Sequence, residues 1–255
     1  MVLRQQILQD NDCYRAGKVL KPRGVMIHST GCNNPNLRRY VAPNDGLLGE
    51  PSMSHWNQPG LDKCVHAFVG KVADGTIAVY QTLPWTMRGW HCGGYANNTH
   101  ISIEICEDDL KNEAYFRAVY QAAAELTAHL CRMFQFDPMA TGVVICHREG
   151  YEMGWASGHA DVLHWFPKYG KTMDDFRADV ARIMEEQSMN EERVREIVRD
   201  ELARIEAGRA DLAASPWAAQ LLAEAKARGI TDGSRPQANA TRQEVALMVH
   251  AATKD

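Results

Sequence analysis

Histidine and carboxylate side chains at three places in the chain could bind a metal ion. His28 ends the apolar run GVMI and His147 ends GVVIC, so each lies where a β-strand would pass into a loop. The stretch GHADVLHWF adds His159, Asp161 and His164. Catalytic zinc sites use such imidazole and carboxylate ligands, three from the protein, and leave a fourth position for water. The pattern therefore predicts a zinc site that activates water for hydrolysis.

Two further stretches could line such a site. Glu104 lies within ISIEIC, where strand alternation places Ser102, Glu104 and Cys106 on the face opposite the isoleucines. A carboxylate on a buried face needs a partner, whereas a glutamate on a solvent-exposed sheet face needs none. GWHCGG sets Trp90 and His91 before two glycines, which suits either a loop that substrate approaches closely or an aromatic anchor for a mobile loop.

The elements that would position these side chains are short strands and helices. Five β-rich runs predict strands at 24–30, 65–70, 76–81, 100–106 and 142–147. An Asp-Gly pair in ADGT predicts a hairpin turn between the second and third of them. The Ala-rich stretch 113–134 has the apolar spacing of a helix that packs on a sheet. We therefore predict an α/β fold with a mixed central β-sheet of about five or six strands flanked by helices.

The chain of 255 residues is long enough for one ordinary domain and a smaller module. We predict a catalytic domain over residues 1–186 and a small helical module over residues 214–255. Residues 187–213 are rich in Glu and Arg and carry one narrow apolar seam. This segment is typical of a charged linker helix, or of a short self-association helix that would make residues 190–255 an oligomerisation region.

Two helix starts can be read directly from the sequence. Thr172 is expected to cap a helix over 172–187, the last of the first domain. Thr241 and Glu244 have the spacing of a capping box and would begin the last helix of the small module.

Composition excludes several other classes of function. The net charge of -4 gives no basic field for nucleic acid, and no apolar run approaches the roughly 20 residues that span a membrane. The first 25 residues lack a signal-peptide pattern, so we expect synthesis in the cytoplasm. Seven cysteines without a C-x-x-C pair predict neither a disulfide framework nor a thiolate zinc finger.

Taken in order, the stretches of roughly residues 20 to 180 resemble the type-2 N-acetylmuramoyl-L-alanine amidases. This zinc amidase family includes phage endolysins and peptidoglycan recognition proteins. MIHST looks like the family's first-ligand strand, and VHAFVGKVADGTIAVYQ is similar to its Ala-His-Phe, Asp-Gly, Gln hairpin. GWHCGG resembles its Trp-His-Ala-Gly loop and HISIEICED its Ser-Ile-Gly-Ile-Glu strand. VVICHRE looks like the strand that ends in the second ligand histidine.

The resemblance implies the family's fold and a zinc ion held by His28, His147 and Asp161. In the family the third ligand commonly lies in a Lys-x-Asp-Pro-Gly context. Here His159 stands in place of the lysine, the Pro-Gly pair is missing, and His164 is a competing third ligand.

The resemblance also implies an activity, the hydrolysis of the amide between N-acetylmuramic acid and L-alanine in peptidoglycan. Glu104 would accept a proton from the attacking water, and His159 would donate a hydrogen bond to the developing oxyanion. The expected substrate contacts are Thr30, His66, Trp90 and His91.

The terminal segment WAAQLLAEAKARGITDGSRPQANATRQEVALMVHAA resembles a single S-layer homology motif, a class that binds secondary wall polymers. This layout predicts a phage or prophage endolysin that reaches the wall with the help of a holin. Two alternatives stay open at this point. One is a non-catalytic peptidoglycan-binding protein of the same fold, and the other is a cysteine amidase that uses Cys32 or Cys146.

Overall fold

The structure is a computed structural model that describes residues 2–253. Its internal contacts divide the chain into two compact units, Met1–Glu186 and Gln187–Asp255. Within the described residues, no helix has the length and apolar composition that a membrane crossing requires.

A mixed β-sheet forms the centre of the first unit. Its six strands within residues 2–253 are β1 (Leu3–Gln5), β2 (Gly24–Ser29), β3 (Ala67–Lys71), β4 (Ile77–Gln81), β5 (His100–Ile105) and β6 (Val144–Cys146). The spatial order is β1-β4-β3-β5-β2-β6. Only β3 and β4 are antiparallel among these neighbours, and the other pairs are parallel. The predicted mixed α/β sheet is confirmed.

All five predicted strands are present, with ends that differ by one or two residues. The turn between β3 and β4 forms at the Asp-Gly pair as predicted. Gly75 has a φ of +89°, and the Thr76 amide donates to Asp74 Oδ1 at 2.8 Å. The edge strand β1 was not predicted, because its three residues carry too short a pattern to be distinguished from coil.

Between residues 2 and 152, three α-helices accompany the sheet: α1 (Asp12–Ala16), α2 (Glu113–Phe134) and α3 (His147–Glu152). The long helix α2 covers one face of the sheet, where its Phe116 and Val119 join the main core. Ile101, Ile103 and Ile105 belong to the same core. The alternate residues of β5 therefore face away from α2, as the sequence predicts.

One continuous helix, α4 (Met173–Ala210), replaces the two helices predicted over 172–209. Thr172 caps it, because its Oγ1 accepts from the Asp175 amide at 3.1 Å. Phe176 and Val180 anchor its first turns in the core of the first unit. No glycine or proline lies between Thr172 and Gly208, so nothing in the sequence interrupts the helix.

The second unit contains α5 (Pro216–Ala227) and α6 (Arg242–Ala252). The predicted capping box at the start of α6 is present. Thr241 Oγ1 accepts from the Glu244 amide at 3.1 Å, and Glu244 Oε2 accepts from the Thr241 amide at 2.7 Å. Every residue of these two described helices is at least partly exposed. This unit therefore lacks the buried core that the first unit has.

Cys13 and Cys64 form a disulfide, a single bridge that the sequence analysis did not predict. The other five cysteines, all within the described chain, are free. An odd count and the absence of C-x-x-C exclude a framework of several bridges, but they do not exclude one bridge between residues 51 positions apart.

Candidate metal centre and active site

Three elements bring one side chain each to a common point at the carboxyl end of the central strands. His28 lies near the end of β2, on the face opposite to the core residues Val25 and Ile27. His147 is the first residue of α3, directly after β6. Asp161 lies in the loop that follows α3. The structure thus brings together the three side chains that the sequence predicts as ligands.

The spacing of their ligand atoms fits one metal ion. His28 Nδ1 lies 3.0 Å from His147 Nδ1 and 3.1 Å from Asp161 Oδ2, and His147 Nδ1 lies 3.5 Å from that oxygen. Tetrahedral zinc places ligand atoms about 2.0–2.2 Å from the ion, which separates neighbouring ligand atoms by about 3.3–3.5 Å. Two imidazoles and one carboxylate are also a donor set that zinc uses. The residues can therefore hold such an ion.

The electrostatics of this group favour the protonation states that a cation requires. Burial lowers the pKa of His28, an effect that the neighbouring Asp161 partly offsets. Burial would raise the pKa of Asp161, but hydrogen bonds to His147 and His28 outweigh it and hold this pKa well below its ordinary value. A neutral imidazole and an ionised carboxylate are the forms that bind metal.

A capping interaction fixes the start of α3 and therefore His147. Glu149 Oε2 accepts from the amide of Cys146, the residue directly before His147, at 3.0 Å. Arg177 from α4 then donates to Glu149 Oε1 and Oε2, at 3.0 and 3.1 Å, and to the Val144 carbonyl at 2.9 Å. Helix α4 thus supports the strand end that carries His147.

The loop that carries Asp161 is held by its own backbone and by a buried neighbour. The Arg148 amide donates to the Asp161 carbonyl at 3.2 Å, and the next side chain, Val162, is fully buried in the main core. These contacts present the Asp161 carboxylate to the two histidines.

His164, the competing third ligand, does not join this group. Its Nε2 lies 2.9 Å from Glu107 Oε1, and this carboxylate also accepts from the Gly31 amide at 3.1 Å. The Glu107 amide donates to Thr30 Oγ1 at 3.0 Å. Glu107 therefore connects the loop after β2, through Thr30 and Gly31, with His164 in the segment that follows Asp161.

A cleft of about 740 Å³ opens over the three side chains. Five residues predicted to contact substrate or to take part in catalysis line this cleft. The aromatic one is Trp90, and the polar or ionisable ones are Thr30, His91, Glu104 and His159. Trp56, Asp62 and Lys63 also line it. These last three lie in a long irregular loop, where no periodic pattern indicated a role in the site.

Glu104 lines the cleft next to His28, His147 and Asp161. Its register partner across the parallel β2–β5 pair is His28. Its Oε2 atom is buried without a hydrogen-bond partner among the described residues. Burial, and then the nearby charge of Asp161, raises the pKa of Glu104 well above its ordinary value. Such a carboxylate is suited to proton transfer.

His66 is the one predicted contact that the structure does not place in the cleft. Its side chain is fully buried, and its Nδ1 accepts from the Ser102 amide at 2.9 Å. Its Nε2 donates to the Met87 carbonyl at 2.8 Å. Both ring nitrogens are therefore satisfied inside the protein, which gives His66 a structural role instead of contact with a ligand.

Ser157 is a polar neighbour that the sequence analysis missed. Its hydroxyl donates to the Cys92 carbonyl at 3.0 Å and lies 3.1 Å from His159 Nδ1 and 3.4 Å from His147 Nε2. An isolated serine in a loop carries no recognisable motif.

Cys146, a candidate nucleophile, is buried in the core, where burial raises its thiol pKa to about 12. That environment opposes a nucleophilic role for Cys146.

Several solved structures are similar to this chain. One of them is the crystal structure of the Staphylococcus aureus hydrolase AmiA in complex with its ligand. It matches with a TM-score of 0.52 and 17% sequence identity, over 72% of this chain and 83% of AmiA. This likeness shows a shared fold. A mutant endolysin from Bacillus subtilis matches with a TM-score of 0.48 and 21% identity, over 71% of this chain and 99% of the endolysin. No curated protein sequence matches the chain significantly.

The family model described as N-acetylmuramoyl-L-alanine amidase matches residues 18–165. This range includes β2 to β6, the three side chains that could hold a metal ion, and the residues that line the cleft next to them. Because the match covers more than half of the sequence, the chain belongs to the N-acetylmuramoyl-L-alanine amidase family.

Proposed function

We propose that this protein is a zinc hydrolase that cleaves the amide between N-acetylmuramic acid and L-alanine in peptidoglycan. The observation that carries the proposal is the convergence of His28, His147 and Asp161 at the floor of an open cleft, in a chain of this amidase family. These three side chains would hold the zinc ion.

Zinc, when bound, would lower the pKa of a water molecule and polarise the scissile carbonyl. Glu104 then accepts the proton of the attacking water at Oε2, the oxygen that has no protein partner. His159 lines the cleft next to Ser157 and would donate a hydrogen bond to the carbonyl oxygen as negative charge develops there. Glu104 finally returns its proton to the leaving amine of L-alanine.

The remaining predicted contacts surround the same cleft. Thr30 and Trp90 line it and would contact the substrate. Lys63, whose ammonium group lies 5.0 Å from the Trp56 ring centre, adds a positive charge to one wall. These groups would orient the sugar and the stem peptide relative to the metal.

The test begins with the purified whole chain. Elemental analysis should find one zinc per chain, and incubation with purified peptidoglycan should release new N-terminal alanine. A chelator should remove both properties, and added zinc should restore both. His28→Ala and His147→Ala should lose zinc and turnover together, whereas His250→Ala in the second unit should keep zinc. A zinc-free protein that binds wall without cleaving it would overturn the hydrolase proposal in favour of recognition.

The role of the second unit is part of the proposal. We expect residues 214–255 to bind a secondary wall polymer, in an enzyme that acts as a phage or prophage endolysin. The resemblance to an S-layer homology motif supports this role, and so does a cavity of about 340 Å³ lined by Asp232, Arg235 and Met248 among others. Sedimentation with cell wall should therefore weaken when hydrofluoric acid has stripped the secondary polymers. Equal binding to stripped wall would contradict this role.

A further inference from the structure

His28 uses both nitrogens of its ring. Its Nδ1 faces Asp161 and His147, as a metal ligand atom would. Its Nε2 points the other way and lies 2.9 Å from His91 Nδ1. The sequence predicts substrate contact for His91, but this hydrogen bond joins His91 to His28, one of the three proposed metal ligands.

The proton positions follow from the chemistry of imidazole. A neutral imidazole has one N–H group and one lone pair. Because Nδ1 of His28 must present its lone pair to a metal ion, the proton has to stay on Nε2. That N–H needs an acceptor, and His91 Nδ1 is at the right distance to supply one. The proton of His91 is then on its own Nε2.

The surroundings of His91 fit this role better than substrate binding. Asn97, itself buried, accepts through its Oδ1 from the His91 amide at 2.9 Å and from the Cys92 amide at 3.0 Å. Two hydrogen bonds therefore fix the loop that carries the ring. The Nε2 atom of His91 is buried and has no partner among residues 2–253, so that atom is not available to a ligand in the cleft.

We propose that His91 is a positioning residue, which holds His28 in the tautomer and orientation that leave Nδ1 free for the metal. The inference rests on the proposed zinc site. Outer partners of metal-binding histidines usually change metal affinity by about 10–100-fold when they are removed. His91 should accordingly influence zinc affinity directly, and turnover only as a result.

Two amide substitutions of similar chemistry separate positioning from packing. In His91→Asn the carbonyl oxygen lies near the place of the histidine Nδ1 and can still accept from His28 Nε2–H. In His91→Gln the longer side chain moves the amide toward the place of Nε2, and the acceptor is displaced. His91→Leu removes the acceptor and keeps an apolar side chain of similar bulk.

The experiment measures zinc affinity of the whole chain by competition with a chromophoric chelator. We expect affinity to fall about 10–100-fold in His91→Leu and His91→Gln, and to stay within about threefold of wild type in His91→Asn. Nitrogen-15 NMR of the zinc-loaded protein should find the His28 proton on Nε2 in wild type and His91→Asn, with its resonance broadened by exchange in His91→Leu.

Unchanged zinc affinity in both His91→Leu and His91→Gln would overturn the inference while leaving the proposed function intact. A uniform loss in all three variants would also overturn it, because it would mean that the ring contributes packing alone. If wild-type protein itself failed to bind zinc, the proposed function would fail first, and the inference would fail with it.

Discussion

Glu104 lies directly opposite His28 in the parallel pairing of β2 and β5, so the proposed base and a proposed ligand are neighbours on the same sheet face. This placement depends on strand register, because a shift by one residue would turn Glu104 toward α2. Two adjacent strands thus set the distance between the proposed ligand and the proposed base.

Replacing Glu104 by glutamine should reduce turnover by about 10²–10⁴-fold and leave zinc in place. The amide keeps the size of the side chain but cannot accept the proton of water. Turnover is measured as release of N-terminal alanine, and zinc by elemental analysis. Glu152→Gln, at an exposed position of α3, is the matched control and should behave as wild type. An active Glu104→Gln enzyme would assign the base elsewhere.

Measurements of zinc affinity can decide whether Asp161 or His164 is the third ligand. Asp161→Ala should weaken zinc binding by more than about 100-fold, since a direct ligand outweighs an outer partner. His164→Gln should still bind one zinc per chain, because its amide can donate to Glu107 and Asp161 is untouched. Titration with a competing chelator measures both. The reverse order of affinities would make His164 the ligand.

The Arg177–Glu149 pair should contribute to stability through the start of α3. Both side chains are largely buried, and Arg177→Met would leave the Glu149 carboxylate and the Val144 carbonyl without this donor. We expect a loss of about 1–3 kcal/mol in the free energy of unfolding. Urea denaturation followed by circular dichroism measures it.

Arg182→Met is the control for this measurement. Arg182 pairs with Glu186 on the same helix, and both side chains are about half exposed. Exposed pairs contribute little, so a change within about 0.5 kcal/mol is expected. Equal losses in the two variants would show that the buried pair has no special role.

His164 should make stability depend on pH in the neutral range. The hydrogen bond to Glu107 raises the pKa of His164 above its ordinary value of 6.5. A raised pKa means that the folded protein binds the proton more tightly than the unfolded chain. This contribution is fully present below about pH 6.5 and is lost as the pH rises through the folded pKa.

The comparison of wild type with His164→Gln isolates that contribution. The difference in urea midpoint between the two proteins should be constant at acidic pH and should shrink between neutral and alkaline pH. A difference that grew with pH would reverse the assigned direction of the pKa shift.

Much of the fold could be predicted from local patterns. The alternation around Ile103 correctly predicted which face of β5 packs on α2, and the spacing over 113–134 predicted α2 to the residue. For the site, two histidines at strand ends and one acidic loop gave three side chains that do converge. Each of these signals is contained within a few consecutive residues.

What the sequence could not provide depends on contacts between distant segments. The pairing of Glu107 with His164 joins residues 57 positions apart, and no motif marks either of them. The burial of His66 follows from its hydrogen bonds to Ser102 and Met87, which are set by sheet register. By contrast, the continuity of α4 was missed although the sequence indicates it, since the absence of glycine and proline between Thr172 and Gly208 favours one helix.

The order of the ligands along the chain has a consequence for biosynthesis. His28 leaves the ribosome long before His147 and Asp161, which follow it by 119 and 133 positions. A nascent chain that has made β5 and α2 still offers a single ligand and cannot retain an ion. Uptake of the proposed zinc ion must therefore wait until the polypeptide has grown past Asp161.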